Sequence, residues 1–339
     1  MIHLRKFAFS EVKKTAIIVT GYFLILTKSK YFSGFFPIFV GRICSVFVMK
    51  TVQEKVLDLH KVLSAKVPRL MKHMPDCLFK KIQQLMHEDE LNRIMLKYKC
   101  LEGVRFLTAV IKDFHVKLVL KGTEHLMGDR RIVVASNHPM GGFDGMALIQ
   151  TVGSIRGKVL APVNDFLTYV PNLRSVFIPV NKIGTALANR RDNMRLLKEA
   201  FAGDSTVCYF PFGLCSRMTK DGKIMDLEWK KTFVTKARAS FRDIVPVHID
   251  GQNSSFFYHL ACLRKFLGIK ANIEAAFLID EFFKQRNHTL TIIFGKPIPY
   301  QTFDNRFTDV QWAEKLRRFS YQLPNDSDQT FDPQKDYEL

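Results

Sequence analysis

The sequence lacks the residue patterns that identify several classes of protein. Its six cysteines are scattered over 339 residues, with no CxxC pair and no accompanying pair of histidines. This spacing argues against a zinc site and against a disulfide framework, and it favours a reducing compartment. Helix-turn-helix, zinc-finger and aromatic RNA-binding motifs are also missing, so we expect no bound metal and no nucleic-acid partner.

Long apolar runs are missing as well. Residues 16–27 form an apolar run that is short of the ~20 residues needed to span a bilayer, and a second run at 32–48 is interrupted by Arg42. We find no convincing signal-peptide cleavage site after them. Residues 1–48 are therefore treated as an apolar N-terminal extension, which either inserts into a membrane or lies outside the folded unit.

Acidic residues are scarce relative to basic ones. The 51 lysines and arginines outnumber the 32 aspartates and glutamates, which gives a formal net charge of +19. So large an imbalance causes self-repulsion unless an anionic partner offsets it. Several basic groups lie beside strongly apolar residues, which favours an anionic membrane surface as partner, although a solvated basic surface would have the same composition.

Residues 49–114 are predicted to be helical. Within 76–86 the apolar residues recur at helical spacing on one face, and lysines and glutamines occupy the other face. This stripe either packs on the rest of the protein or lies in a membrane interface, and core packing is the favoured alternative. A second helix is predicted across 103–113.

From residue 115 onward, short β-rich runs alternate with helical ones. Helical spacing covers 186–201, 229–240 and 254–267, and Gly203 and Gly268 follow two of these segments as C-terminal caps. The predicted strands are 116–120, 132–136, 158–161, 176–180, 206–210, 244–249 and 290–294. This alternation predicts an α/β fold over 115–324, with a mostly parallel central sheet flanked by helices. The polar tail at 325–339 is expected to be frayed.

The strand 132–136 runs directly into a turn that contains a histidine. Ligand sites of parallel sheets collect at the carboxyl ends of the strands, which is where His138 lies. His138 can accept a proton near neutral pH, and Asp144 is the nearest carboxylate that could bond its other ring nitrogen. Gly141 and Gly142 allow a sharp turn and leave room for a substrate. Alone, the pattern favours a plainer alternative, in which Asp144 caps the following helix and His138 is a hydrogen-bonded turn residue.

A second turn whose residues could bind a ligand follows the strand 206–210. Its proline, glycine, hydroxyl and arginine are suited to holding an anionic group through backbone N–H donors and a guanidinium. The residues concerned are Phe210, Pro211, Gly213, Ser216 and Arg217. Within the strand 244–249, Pro246 indicates an edge strand or a bulge near the same end of the sheet.

Four short blocks, in this order and spacing, resemble those of the glycerolipid (lysophospholipid) acyltransferase superfamily. They are most similar to its branch of bacterial lyso-ornithine-lipid and hemolysin-related O-acyltransferases, including those implicated in glycine-lipid synthesis. The blocks are Asn137-His138-Pro139 with Asp144-Gly145, Phe177-Ile178-Pro179, Phe210-Pro211-x-Gly213 with Ser216-Arg217, and Val245-Pro246-Val247.

The resemblance implies direct acyl transfer from a thioester to a lipid hydroxyl, without a covalent acyl-enzyme. His138 would be the general base and Asp144 the residue that orients it. Acyl carrier protein or coenzyme A would carry the acyl group as co-substrate, with no cofactor. The enzyme would work at the cytoplasmic face of the bacterial inner membrane, bound peripherally or through its N-terminal region. The implied substrate-binding residues are Asn137, Gly141, Gly142, Phe210, Pro211, Gly213, Ser216, Arg217 and Pro246.

Three features depart from the superfamily pattern. Five residues separate His138 from Asp144, where the superfamily usually has four. Phe212 stands where the third block usually has a glutamate, and the second block lacks the arginine that would grip a glycerol phosphate. These departures favour a lyso-aminolipid of the ornithine- or glycine-lipid type over lysophosphatidic acid as the acceptor.

Two other functions remain open from the sequence. One is a 1-acylglycerol-3-phosphate acyltransferase that makes phosphatidic acid, and the other is a non-catalytic lipid-binding protein on the same fold. A hydrolase is disfavoured, because Ser136 precedes the turn in which a Gly-x-Ser-x-Gly elbow would place the nucleophile.

Overall fold

A seven-stranded sheet lies at the centre of the structure, a computed structural model that describes residues 55–339 apart from 67, 165, 166, 168, 181–186, 270 and 271. The predicted extension 1–48 lies outside the described residues. The strands are β1 (Lys117–Lys121), β2 (Ile132–Ser136), β3 (Val159–Val163), β4 (Phe177–Pro179), β5 (Thr206–Tyr209), β6 (Arg217–Met218), β7 (Ile224–Met225), β8 (Asp243–Asp250) and β9 (Thr289–Phe294).

The sheet has the order β1-β9-β8-β2-β5-β3-β4, and β6 and β7 form a separate antiparallel hairpin. Every neighbouring pair in the sheet is parallel except β8 and β9. All seven predicted strands are therefore confirmed, and so is the mostly parallel α/β architecture.

Helices pack on both faces of the sheet and precede it. They are α1 (Leu59–Lys66), α2 (Pro68–Lys72), α3 (Asp76–Leu85), α4 (Glu88–Lys97), α5 (Gly103–Asp113), α6 (Phe143–Arg156), α7 (Leu187–Ala202), α8 (Thr232–Ala239), α9 (Ser255–Phe266), α10 (Leu278–Phe283) and α11 (Asp309–Ser320). None of the helices that the structure describes combines the length and the apolar character required to cross a bilayer.

Strand β2 divides the hydrophobic core into two parts. All five of its residues are buried. Because successive side chains of a strand point to opposite faces, Ile132 and Val134 pack with α5 and α6, whereas Val133 and Ala135 pack with α8 and α11. A strand that is covered on both faces reads as a continuous apolar run, which is why its position was predictable.

The two predicted N-terminal helices differ in burial. Helix α5 buries Phe106, Leu107, Val110 and Ile111 against the sheet, in line with its apolar spacing. In α3 no residue is buried. Its stripe packs only partly, through Phe79, on a small cluster that contains Leu57, Leu59, Val62 and Met95.

The polar tail is not frayed, contrary to its composition. Phe331 and Tyr337 are buried and stack on each other with ring centroids 5.9 Å apart. Both also make edge contacts with Phe319 of α11. Two aromatic side chains in an otherwise polar segment are enough to hold it on the core.

The prediction that Pro246 marks an edge strand is wrong, but its alternative, a bulge, is confirmed. The antiparallel pairing beside Pro246 shifts by one residue between Val247–Phe294 and Ile244–Ile298, so two residues of the chain after β9 oppose one residue of β8. Strand β8 lies between β9 and β2, and Pro246 is in register with Ala135. The Pro246 carbonyl accepts the N–H of Gly295 at 2.8 Å, one residue beyond the end of β9. The proline nitrogen lies on this same side of the strand, so no hydrogen bond to β2 is lost.

Candidate active site

The side chain of Asn137 fixes the exit of the chain from β2. Its Nδ2 donates to the carbonyl of Ile249 at 2.9 Å, and its Oδ1 accepts the Ile249 N–H at 2.7 Å. The amide thus acts as one further rung between β2 and β8. Asn137 is 2% exposed. It holds the backbone from which His138 projects, and it also lines the polar pocket described below, so its role in substrate binding stays a prediction.

His138 and Asp144 are in direct contact across the turn. The imidazole Nδ1 lies 2.9 Å from Oδ2 of Asp144, with the histidine side chain 17% exposed and the aspartate fully buried. Five intervening residues are accommodated because Gly141 adopts a left-handed conformation with φ of +75°. The contact between His138 and Asp144 is therefore present, although five residues separate them where the superfamily usually has four.

The Asp144 carboxylate lies among backbone N–H donors. Its oxygens accept from Met140, Gly142 and Gly145 at 2.9, 2.9 and 2.8 Å. Burial alone raises a carboxyl pKa, but here the charge of His138 and these hydrogen bonds outweigh it and lower the pKa of Asp144. Asp144 is therefore ionised at neutral pH, and it lies in the first turn of helix α6, from where it bonds the histidine.

An ionised Asp144 determines which nitrogen of His138 can react. A carboxylate only accepts hydrogen bonds, so Nδ1 carries the hydrogen and Nε2 of the neutral ring has a lone pair. No described residue hydrogen-bonds to Nε2. Phe210 stacks on the ring with centroids 4.1 Å apart, which restricts its rotation. The arrangement is that of a general base.

Asp226, which follows β7, is a buried residue of the site that the sequence did not reveal. Its carboxylate accepts from the Ser216 hydroxyl at 2.7 Å, from Trp229 Nε1 at 2.9 Å and from the His138 backbone N–H at 3.3 Å. Burial raises its pKa, and these donors only partly oppose the effect. The only described partner of this carboxylate that lies nearby in the sequence is Trp229, three residues further along the chain, so the sequence offered little to identify Asp226.

Ser216 is 1% exposed and positions the histidine, and it also lines the polar pocket described below. Its backbone N–H donates to the carbonyl of His138 at 2.8 Å, while its hydroxyl bonds Asp226. His138 is thus held through both of its backbone polar groups. The loop 210–217 fixes the base, a role that its motif did not indicate.

Arg217 is not available to grip an anion, so its predicted role is corrected. The guanidinium lies 3.1 Å from the Glu274 carboxylate, with side chains 5% and 0% exposed. Arg264 pairs with the same carboxylate at 2.8 Å. Arg217 also donates to the carbonyl of Cys215 at 3.0 Å. Its guanidinium is paired in the interior with a carboxylate that lies 57 residues away in the sequence and that it shares with Arg264.

Other residues predicted around the second turn shape the loop. Gly213 has φ of +71°, and its N–H donates to the carbonyl of Phe210 at 3.0 Å, which closes the turn. Pro211 is buried, and its carbonyl accepts the N–H of Lys230 at 3.1 Å. Phe212, in the place of the usual glutamate, packs against the core on the α8 and α11 side of the sheet.

The two glycines of the first turn have different surroundings. A Cβ on Gly141 would lie 2.8 Å from Cys215 Cβ and 3.2 Å from Leu278 Cδ2, so its lack of a side chain serves packing and not substrate access. A Cβ on Gly142 would make only an ordinary contact of 3.7 Å with Phe282. Pro246 lies inside β8 and is not brought to the residues around His138.

The nearby hydroxyl and thiol are unsuited to nucleophilic attack. Ser136 is fully buried and donates to the carbonyl of Asn137 at 2.9 Å. Burial raises the pKa of the Cys215 thiol to about 11, so it is not a thiolate at neutral pH. Both observations agree with direct transfer in preference to a covalent acyl-enzyme at either residue.

A polar pocket of about 290 Å³ adjoins the turn, lined by residues that include Pro139, His248, Asp250 and Tyr321. Burial lowers the pKa of His248 to about 4, so this ring is neutral, and its Nδ1 has no hydrogen-bond partner in the part of the chain that the structure describes. Elsewhere in the described chain, Glu124, His125 and Asp328 form one surface group close enough to hold a metal ion.

Comparison with known proteins identifies the family. A family model described as acyltransferase matches residues 61–330. The chain belongs to this acyltransferase family. It is 42% identical over 269 residues to the lyso-glycine lipid O-acyltransferase of Phocaeicola vulgatus, covering 79% of this chain and 95% of that protein. The corresponding enzyme of Bacteroides thetaiotaomicron is also 42% identical, with 79% and 97% covered.

A solved structure is also similar to this acyltransferase. The crystal structure of PlsC, the 1-acyl-sn-glycerophosphate (LPA) acyltransferase of Thermotoga maritima, aligns with 80% of this chain and 96% of that chain. The sequence identity is 18% and the TM-score is 0.38.

Proposed function

We propose that this acyltransferase moves a fatty acyl group from a thioester to the hydroxyl of a lyso-glycine lipid, in the synthesis of membrane aminolipids. The observation that carries the proposal is the 42% identity to two lyso-glycine lipid O-acyltransferases over nearly their whole length. The contact between His138 and Asp144 supplies the base that such a transfer needs.

The reaction proceeds by direct attack of the acceptor. His138 Nε2 removes the proton of the lipid hydroxyl as its oxygen attacks the thioester carbonyl carbon. Asp144 stabilises the imidazolium that forms, because its carboxylate is already ionised and bonded to Nδ1. The tetrahedral intermediate collapses with cleavage of the carbon–sulfur bond, and the thiolate takes up the proton. The products are the O-acylated lipid and a free thiol.

The donor and the place of action form the second part of the proposal. Acyl carrier protein and coenzyme A are both anionic, and either suits a chain with a formal charge of +19. We propose that the enzyme works at the cytoplasmic face of the bacterial inner membrane, where an amphiphilic acceptor would be embedded. Anionic headgroups there attract basic side chains.

An acceptor panel tests the proposal. The purified full chain is incubated with acyl carrier protein or coenzyme A thioesters and, separately, with lyso-glycine lipid, lyso-ornithine lipid and lysophosphatidic acid dispersed in detergent. Mass spectrometry of the lipid products gives the initial rates. We expect the highest rate with lyso-glycine lipid. A higher rate with lysophosphatidic acid would overturn the assignment and favour a phosphatidic acid synthase.

A further inference from the structure

Helix α9 and the turn after it carry a concentration of exposed apolar side chains. Six of the eighteen exposed large hydrophobic residues among those described fall within 256–273. Phe266 is 87% exposed, and Leu267, Leu263 and Phe256 are 59%, 53% and 53% exposed. Such clustering on a soluble surface marks an interaction site, whereas single exposed residues do not. We call Phe256, Leu263, Phe266, Leu267 and Ile273 the α9 face.

The exposed residues of α9 form a stripe along the helix. Positions 256, 263 and 267 recur at intervals of seven and four residues, which places them on one side. The opposite side of the helix faces the protein interior, where Phe257, Tyr258 and Ala261 are buried. The helix therefore carries large apolar side chains on two sides, and described residues cover only one of these sides.

The α9 face lies on elements that form a wall of the active site. The Tyr258 hydroxyl donates to the carbonyl of Pro139 at 3.4 Å, and Asn253 Nδ2 donates to the carbonyl of Met140 at 3.2 Å. After the turn Ile273–Phe277, helix α10 places Leu278 against Gly141. A surface bound to the α9 face is thus adjacent to the turn that contains the base.

We propose that the α9 face inserts into the headgroup region of an anionic bilayer and so presents the active site to lipid. This inference rests on the proposed function, because it assumes a lipid acceptor. Phe and Leu side chains are those that interfacial helices bury. Lys265 is exposed beside Phe266, so a positive charge lies next to the apolar residues. A second copy of this chain would bring the same net positive charge to the interface, whereas an anionic bilayer offsets it.

Vesicle binding by two matched phenylalanine variants tests the proposal. Phe266→Glu places a charge in the α9 face. Phe241→Glu is the control, because Phe241 is 66% exposed but precedes β8, at the end of the sheet opposite to α9. Full-length protein is sedimented with vesicles of phosphatidylcholine alone or of equimolar phosphatidylcholine and phosphatidylglycerol. We expect wild type to prefer the anionic vesicles, and Phe266→Glu to weaken that binding about tenfold or more while Phe241→Glu matches wild type.

Three results would overturn the proposal. They are unchanged vesicle binding by Phe266→Glu, an equal loss in Phe241→Glu, and a wild-type dimer that Phe266→Glu converts to a monomer, which would assign the face to a second copy. Circular dichroism and thermal melting of each variant establish that it is folded. If Phe266→Glu does not fold, Leu267→Ser takes its place with the same expected loss.

Activity in detergent separates this proposal from the proposed function. With acceptor dispersed in detergent, Phe266→Glu should retain the wild-type rate, since the α9 face contacts no reacting atom. If wild type acylates no lyso-lipid under these conditions but Phe266→Glu still loses vesicle binding, the proposed function fails and membrane docking stands. If wild type acylates a lyso-lipid but Phe266→Glu binds vesicles as well as wild type does, the proposed function stands and membrane docking through the α9 face fails.

Discussion

Two fully buried aspartates flank His138, and burial affects them differently. Asp144 bonds the imidazole and accepts from several backbone N–H groups, and its pKa is lowered. Asp226 bonds the histidine backbone, has fewer donors, and its pKa is raised by burial. The comparison teaches that the number and charge of donors decide whether a buried carboxylate stays ionised. Asp144 is thus fitted to stabilise an imidazolium, and Asp226 to hold a loop.

The two aspartates also predict opposite effects of pH on stability. A lowered folded-state pKa contributes stability above the ordinary aspartate value, and this contribution is lost as the pH falls through the folded-state pKa. That is the case for Asp144. A raised pKa, as in Asp226, contributes stability at acidic pH that is lost as the pH rises.

The largest effect is expected on replacing the residue between the two aspartates. His138→Ala removes the base, so the rate of acyl transfer should fall by about 10²–10⁴-fold. The fold should persist, since the histidine backbone bonds to Ser216 and Asp226 do not need the side chain. Initial rates and thermal melting measure both quantities. Full activity in a folded His138→Ala enzyme would reject His138 as the base.

A third buried carboxylate, that of Glu274, is paired with two arginines, Arg217 and Arg264. Arg217→Ala leaves Glu274 with one arginine fewer, and we expect a loss of about 3 kcal/mol in the free energy of unfolding. Chemical denaturation measures it. The matched control is Arg195→Ala, whose pair with Glu199 is exposed and contributes less than about 0.5 kcal/mol. An unchanged stability with a raised KM would instead support the substrate-binding role first predicted for Arg217.

Removing a donor from Asp226 should have a smaller effect. Ser216→Ala deletes the hydroxyl that lies 2.7 Å from the carboxylate, and a cost of about 1–2 kcal/mol in unfolding free energy is expected. Ser216→Thr keeps the hydroxyl and serves as the conservative control. If denaturation shows Ser216→Ala to be as stable as wild type, the hydroxyl does not support Asp226.

The smallest expected effect is a change in pH dependence. Asp226→Asn removes the group whose pKa is raised, although its amide would oppose the Trp229 N–H as donor against donor. Relative to wild type, the variant should be destabilised less at about pH 8 than at about pH 4.5, because wild type loses the contribution of Asp226 as the pH rises. Unfolding curves at the two pH values decide this. A cost that grows with pH would show that the pKa of Asp226 is lowered.

Much of the fold could be predicted, because local patterns carry the information. The apolar run 132–136 marks a strand covered on both faces, and the carboxyl end of such a strand is where His138 was expected to act. The contact between His138 and Asp144 could be predicted less firmly than the strand. It depends on the left-handed conformation of Gly141, which the number of intervening residues does not determine.

The rest of the site depends on partners that are distant in the sequence. Arg217 has the appearance of an anion-binding residue until Glu274 is placed beside it by α9 and the turn that follows. Asp226 reaches His138 through the β6–β7 hairpin, whose two-residue strands are too short to give a periodic pattern. The edge strand predicted at Pro246 is wrong, because the pairing of β8 with β9 on that side cannot be inferred from the residues around the proline.

The most direct test of the central claim, that Asp144 acts through His138, is a double-mutant cycle. Values of kcat/KM are measured for wild type, His138→Ala, Asp144→Asn and the double variant with lyso-glycine lipid in detergent, corrected for the folded fraction. Residues that act as a unit give non-additive losses. We expect the double variant to be no less active than His138→Ala. A double variant whose loss equals the product of the two single losses would contradict the account, because Asp144 would then act independently of His138.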